Sequence, residues 1–412
     1  MSNLAGGWQR TNPDAGAVQS GTFRGVIGRA PRPNIAIVKT MFPSSPGTLT
    51  TVPSESSDAA CRAAPGFSPR RRRAVDVRGI ANKAAALTLC AAGAPALLRR
   101  LRRGQLTILM YHGIEAQPVS PPCWHVLDAA TFRRQLKYVR RHFTVLPLEE
   151  ALERLYAGTL PKRAAALTFD DGTQNLLTQA APVLREFELP AAVFLATGLM
   201  GTNETLWPDR LWLSFARANA PTVDLTMLGL GVRPLRSPTD RGQTYALAVE
   251  QIKDLPDDDR ITLLESLITA LAADFDNDPG PFRMLSWEEA RTLTANGQVT
   301  IHPHTVTHPI LSRCIDEKVE REIADSCTAV QHQTVQEPTV FAYPNGRAQD
   351  FDERAKTALR RRGVRWALAT TTGIADRHCD PFALPRIGIG NDLSFAGFRL
   401  LVSGATPRRH SS

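Results

Sequence analysis

The sequence predicts an α/β fold with parallel strands inside and helices outside, and three observations carry that reading. From residue 105 onward, short apolar runs alternate with amphipathic stretches, the pattern of repeated strand and helix units. Three of those runs end in turns that carry chemically able groups: Phe169-Asp170-Asp171-Gly172, Ile301-His302-Pro303-His304 and Tyr343-Pro344-Asn345-Gly346. The 412 residues accommodate one large domain with additions, since a single α/β barrel takes about 250 residues. A barrel and a doubly wound sheet both satisfy the pattern. Either places chemistry at the carboxyl ends of the strands.

Taken in order, residues 1–75 are rich in Ser, Thr, Pro, Gly and Ala, lack periodicity and end in four arginines, which predicts a disordered basic tail. Residues 76–104 form an Ala-rich, apolar and cationic helical segment, with an apolar run over 84–98 between Lys83 and the Arg99–Arg103 cluster. That run is shorter than the ~20 residues of a membrane span and contains Pro95. It reads as a core helix, an interfacial cationic helix giving peripheral membrane contact through 78–103, or an internal signal-like segment, in that order. No apolar core follows Met1 as a signal peptide requires, so a cytoplasmic or membrane-associated location is expected.

Residues 105–412 are read as the main domain. Strands are expected over 106–111, 143–146, 164–169, 191–196, 298–301, 339–343 and 365–369. Helices are expected over 130–142, 147–157, 174–187, 287–296, 316–332 and 351–362. An insertion over about 200–283 interrupts the rhythm. Within it, Pro256 followed by three aspartates opens a helix with an expected apolar face of Ile261, Leu264, Leu267, Ile268 and Leu271, the acids suiting a helix N-terminus.

Charge narrows the function. The net +9 sits at the front of the chain: residues 1–104 hold 16 Lys and Arg against 4 Asp and Glu, and the remainder holds 33 against 36. A nearly neutral body argues against nucleic-acid binding, which asks for basic residues clustered on one face. The six cysteines form no C-x-x-C pair and suggest free thiols, neither a zinc ribbon nor a disulfide scaffold.

Adjacent side chains at a strand end point to different sides, so Asp170 and Asp171 can take different roles, one holding a metal and the other accepting a proton. Gly172 permits the turn that exposes them. His304 and His308 are four apart, which on a helical turn puts both rings on one side. Two imidazoles and one carboxylate make a three-ligand divalent site with open positions. The backbone N–H groups of the Pro344-Asn345-Gly346 turn can serve as an oxyanion donor.

These residues resemble the polysaccharide deacetylases with a NodB homology domain, carbohydrate esterase family 4. The resemblance rests on Thr168-Phe169-Asp170-Asp171-Gly172, His304-Thr305-Val306-Thr307-His308 and Phe341-Ala342-Tyr343-Pro344-Asn345-Gly346, and extends to Leu109-Met110-Tyr111-His112-Gly113 and Leu384-Pro385-Arg386-Ile387. It covers roughly residues 105–400. It implies a distorted (β/α) barrel of about seven strands with an inserted, mainly helical segment. It further implies Asp171, His304 and His308 as ligands of a divalent metal, zinc or cobalt, with Asp170 as the base and the N–H of Asn345 as oxyanion donor. An N-acetylated glycan is the implied substrate and no nucleic-acid partner is expected.

Two departures from that family stand out. The third motif has Ala342 where many members carry an arginine that orients the base, and Arg386 is the expected substitute. No late Leu-x-His motif supplies a general acid, which leaves Asp170, His378 or bulk water to protonate the leaving group. His112 is weighed between supporting the site and a structural hydrogen bond, and His302 is expected at the surface. Removal of N-acetyl groups is the leading reading. An O-acetyl esterase and a degenerate carbohydrate-binding protein are the alternatives.

Overall fold

The structure, a computed structural model, describes residues 77–271 and 278–405; the tail expected over 1–75 lies outside them. The chain begins with α1 (Val77–Ala91) and α2 (Ala94–Leu101), then β1 (Thr107–Tyr111), β2 (Gly113–Glu115), β3 (Val126–Asp128), α3 (Ala129–His142), β4 (Thr144–Val145), α4 (Leu148–Ala157) and β5 (Ala164–Phe169). After α5 (Ala181–Phe187) and β6 (Ala191–Leu195) comes the insertion: α6 (Trp207–Ala216), β7 (Thr222–Leu225), β8 (Gly231–Pro234), α7 (Pro238–Ile252) and α8 (Asp257–Leu271). The barrel resumes with α9 (Trp287–Thr294), β9 (Val299–Pro303), α10 (Asp316–Thr334), β10 (Val340–Ala342), α11 (Glu353–Arg361), β11 (Trp366–Thr372), β12 (Leu384–Gly388) and α12 (Phe395–Val402).

Seven parallel strands run in the order β10-β11-β12-β1-β5-β6-β9, with β4 beside the start of β5. β9 and β10, at the two ends of this path, pack side by side, so the expected distorted seven-stranded barrel is what forms. Side chains alternate across a strand, and the two sets separate cleanly here. Leu109, Leu167, Phe169, Val193, Leu195 and Ile301 pack outward on helices α3, α5, α9 and α12. Ile108, Ala164, Ala166, Ala192, Phe194, Ala342, Leu368 and Leu384 share an inner cluster with α4. The inner strand positions are largely alanine, which leaves room in the lumen for the polar side chains that continue the same alternation: Thr168 and Asp170, His302 and His304, Arg386.

The helix expected over 174–187 divides. Residues Leu176–Ala180 wind as a π-turn, with the Ala181 N–H reaching Leu176 O, before α5 begins. Pro182 is the cause, because it lacks an N–H and its ring crowds the carbonyl four residues back.

The insertion has its own core of Trp207, Leu211, Trp212, Phe215, Tyr245, Ile252, Leu264, Leu267, Leu271 and Phe282, and this core includes Cys123, Val126 of β3 and Ile310 from outside the insertion. It also contains an antiparallel hairpin, β7 with β8, that the helical reading did not anticipate. The α8 face is corrected. Ile261 is 41% exposed, while Asp257, Arg260, Leu263, Leu264, Leu267 and Leu271 are buried. Buried charge pairing rotates the helix: Asp257 binds Arg260 and Lys318 of α10, and Arg260 lies over the Trp207 ring at 4.7 Å.

The 76–104 segment is not a core helix. α1 and α2 meet at 71°, and among the described residues no single helix is long and apolar enough to cross a membrane. Cys90 packs with Ala396 and Leu400 of α12, yet Leu87, Leu89, Leu97 and Leu101 are exposed. Cys90, Cys123, Cys314, Cys327 and Cys379 are free thiols.

Candidate active site

The carboxyl end of β5 splits its two aspartates as the alternation requires. Asp170 donates its backbone N–H to Tyr111 O at 3.0 Å, and its side chain continues the lumen column. The chain then turns through Asp171 at φ 76° and Gly172 at φ 86°. A Cβ at Gly172 would lie 2.5 Å from Leu195 Cδ2, so a side chain there would have to displace Leu195 and would be strained at this φ.

Asp171, His304 and His308 converge, with one donor atom from each lying within 4.8 Å of the others. Asp171 Oδ1 is 3.5 Å from His304 Nε2 and 3.4 Å from His308 Nε2. Donors about 3.3 Å apart are what a tetrahedral ion with ligands near 2 Å needs, so this donor set fits a zinc-type cation. His304 Nδ1 donates to Ala342 O at 2.7 Å, which fixes the tautomer and leaves Nε2 with its lone pair toward Asp171. Burial alone would raise the Asp171 carboxyl. The His304 and His308 imidazoles beside it more than offset burial and hold that group well below the carboxylate range.

The histidine pair does not sit on a helical turn as expected. Residues 304–308 form a loop in which Thr305 at φ 66° and His308 at φ 60° bend the chain so that both rings face Asp171. The His308 N–H donates to Thr305 Oγ1 at 3.0 Å. Glu322 of α10, buried, accepts the N–H groups of Val306 and Thr307 at 2.8 and 2.9 Å and the Thr307 hydroxyl at 2.6 Å. Backbone strain of this kind persists only where surrounding bonds over-determine it.

Arg386, fully buried, grips Asp170 with two parallel bonds, Nη1 to Oδ1 and Nη2 to Oδ2, both 2.7 Å. Its Nε donates to Ala369 O at 3.0 Å and its Nη1 also reaches Thr168 Oγ1. Burial would raise the Asp170 carboxyl, but Arg386, with His304 and His112 beyond it, holds it below the ordinary range. Ala342, also in the lumen, presents no charge, and the guanidinium that meets Asp170 comes instead from β12.

Asn345, in the turn after β10, has φ 57°, and its N–H has no acceptor among the described residues. Thr370 clamps the turn, donating its hydroxyl to Asn345 O and its N–H to Gly346 O.

Asp170, Asp171, His304, His308 and Asn345 line a cavity of ≈ 570 Å³, and its walls include His112, Trp124, His125, Asp209, Tyr245 and Arg347. His112 lines it, and its Nδ1 has no partner, so the structural hydrogen bond considered for it does not form. Burial lowers the His112 imidazole to about 4, against the pull of Asp171 and Asp170. His302 is not at the surface: it is buried in the lumen, bonded to Thr300 Oγ1 at 2.9 Å and 5.3 Å from the Phe194 ring. His378 is exposed on the segment that returns to the amino end of the barrel, where Ala375 pairs with Leu106, and it cannot reach this cavity. Sequence reasoning missed Glu322 and a buried pair, His125 Nε2 with Asp209 Oδ1 at 2.9 Å. Both depend on contacts across long sequence separations, and no local pattern marks them.

The polysaccharide deacetylase family profile matches residues 157–367, about half of the chain, and the protein belongs to that family. A Staphylococcus aureus poly-beta-1,6-N-acetyl-D-glucosamine N-deacetylase is 34% identical over 76 residues, 18% of this chain. The matched stretch spans 26% of that relative's length. Among solved structures, the Streptococcus pyogenes deacetylase PplD in complex with acetate aligns at 20% identity and TM-score 0.47, covering 72% of this chain and 98% of its own. IcaB from Ammonifex degensii aligns at 18% identity and TM-score 0.48, covering 73% and 97%.

Proposed function

We propose that this protein is a metal-dependent hydrolase that removes N-acetyl groups from amino sugars of a glycan. The observation that carries the reading is the division of labour at the end of β5. Asp171 joins two imidazoles while Asp170, next in the chain, is held apart by Arg386. Binding alone needs no second carboxylate ionised and oriented beside a metal-ligating group, so the arrangement favours turnover over a carbohydrate-binding role. The amide reading over the ester rests on the relative named for N-deacetylation. The cavity volume, ≈ 570 Å³, falls in the range of small-ligand sites.

In this mechanism Asp171, His304 and His308 would hold a zinc-type cation, with cobalt a plausible replacement. Such an ion polarises the acetyl carbonyl and acidifies water when bound. Asp170 takes the proton of the attacking water. Arg386 keeps that carboxylate ionised and aimed into the cavity. The Asn345 N–H donates to the oxygen that gains charge. The leaving nitrogen takes its proton from Asp170, which holds the one removed from water, or from bulk water.

The test is acetate release from a panel of N-acetylated glycans, with cation content measured in parallel. Asp170→Asn should retain the cation and lose turnover by about 10²-fold to 10⁴-fold, whereas His304→Ala and His308→Ala should lose both. Full turnover in Asp170→Asn would remove the assigned base, and failure of zinc or cobalt to restore chelator-treated protein would remove the metal.

A further inference from the structure

We propose that the amino end of the barrel, opposite the candidate active site, is a docking surface for an anionic phospholipid membrane. Two kinds of side chain meet there. The first is apolar: Leu97 and Leu101 of α2 are 60% and 72% exposed, and α1, which packs on α12, adds Leu87 and Leu89 at 63% and 50% along the flank. Leu97 and Leu101 are one turn apart and share a face. An apolar helix left in water needs a covering medium.

The second is cationic. A cavity of ≈ 420 Å³ is lined by Ala96, Arg99, Arg100, Arg102, Arg103, Lys162 and Arg163. Arg99 and Arg100 close α2, Arg102 and Arg103 follow it toward β1, and Lys162 and Arg163 sit in the turn before β5, which places the six cations at the amino ends of these strands. None of the six forms an ion pair with a carboxylate among the described residues. Arg99 donates to the Tyr138 hydroxyl at 2.6 Å and Ser403 Oγ at 2.9 Å, and Arg102 to Gln105 Oε1 and Gly404 O. These neutral acceptors hold the guanidinium groups without cancelling their charge. Arg141 and Arg399 extend the same field: after burial, they and Arg99 and Arg163 are what lower the nearby His142 imidazole.

The dipole of α2 accounts for cations in its last turn, Arg99 and Arg100, but the effect ends with that turn and leaves Arg103, Lys162 and Arg163 unexplained. A second copy of the chain on this surface would set like charges face to face in a two-fold contact. Nucleic acid would satisfy the cations but not the leucines. A bilayer with anionic headgroups satisfies both, with leucines beneath the headgroups and cations at the level of the phosphates. Because this surface is at the amino end of the strands, the candidate cavity would open away from the membrane.

The full chain is sedimented with vesicles of phosphatidylcholine alone and of phosphatidylcholine with an equal part of phosphatidylglycerol, at low and high salt. It should partition onto the anionic vesicles and come off as salt rises. The exposed triple variant Arg100→Glu, Arg103→Glu, Lys162→Glu should partition at least about tenfold less. Leu97→Gln with Leu101→Gln should also lower partition, and both variants should keep the circular dichroism of the parent. No partition, or partition unchanged in the triple variant, would overturn the proposal. So would a leucine variant that binds vesicles fully while duplex DNA displaces the protein, or a leucine-dependent dimer that forms without vesicles.

Discussion

Arg386 is a cation sealed from solvent, and Asp170 is its carboxylate partner through both oxygens. Removing it leaves Asp170 buried without compensation, and a buried carboxyl responds by taking up a proton. The sign follows from the pair. With its folded value held below the ordinary range, Asp170 is ionised above that value and loses basicity only as pH falls through it. In Arg386→Met the largest opponent of burial is gone and the group rises, so the acid limb of the kcat/KM profile should move up in pH. The loss should be roughly 10²-fold near neutrality and shrink as pH rises. An unchanged limb would make Arg386 a packing residue. The sequence made Arg386 nameable because its motif follows an apolar run and Ala342 left a charge unaccounted for. It misplaced His302 because a histidine beside Pro303 at the start of a chemical motif looks solvent-facing, whereas alternation along β9 carries it into an alanine-lined lumen.

At the scale of elements, the loop that holds His304 and His308 depends on α10. Glu322 accepts three hydrogen bonds from Val306 and Thr307, and no other carboxylate meets these donors among the described residues. Glu322→Gln keeps the shape but exchanges one acceptor oxygen for a donor amide, so the Thr307 hydroxyl bond has to reverse and all three bonds lose the assistance of the charge. Cation affinity should fall about 10-fold to 100-fold, as for partners of metal ligands, with the far-ultraviolet dichroism unchanged; calorimetric titration with zinc measures it. Equal affinity would mean that Thr305 and His308 hold their conformations unaided. Most strands and outer helices were legible because one face of each is apolar at the right period. The α8 face was not, since its buried side carries Asp257 and Arg260, which periodicity counts as polar. Nor were β7 and β8, whose four residues each are too short a run to establish a period.

For the molecule as a whole, parallel architecture could be read from alternation alone, whereas closure into a barrel came from resemblance, because no residue pattern distinguishes a closed path of strands from an open one. The closure itself is unequal around the ring. Six junctions are backbone ladders, while β9 and β10 stand side by side without one. What crosses that junction is the bond from His304 Nδ1 to Ala342 O. A residue assigned to cation binding is therefore also a rivet in the wall, and occupancy and breathing of the ring become one equilibrium. Filling the site should slow amide exchange in 299–303 and 340–342 as well as in 304–308, and His304→Ala should abolish the distant part of that protection. Exchange that changes only within 304–308 would mean that the ring is held shut by its packing and is indifferent to the ion.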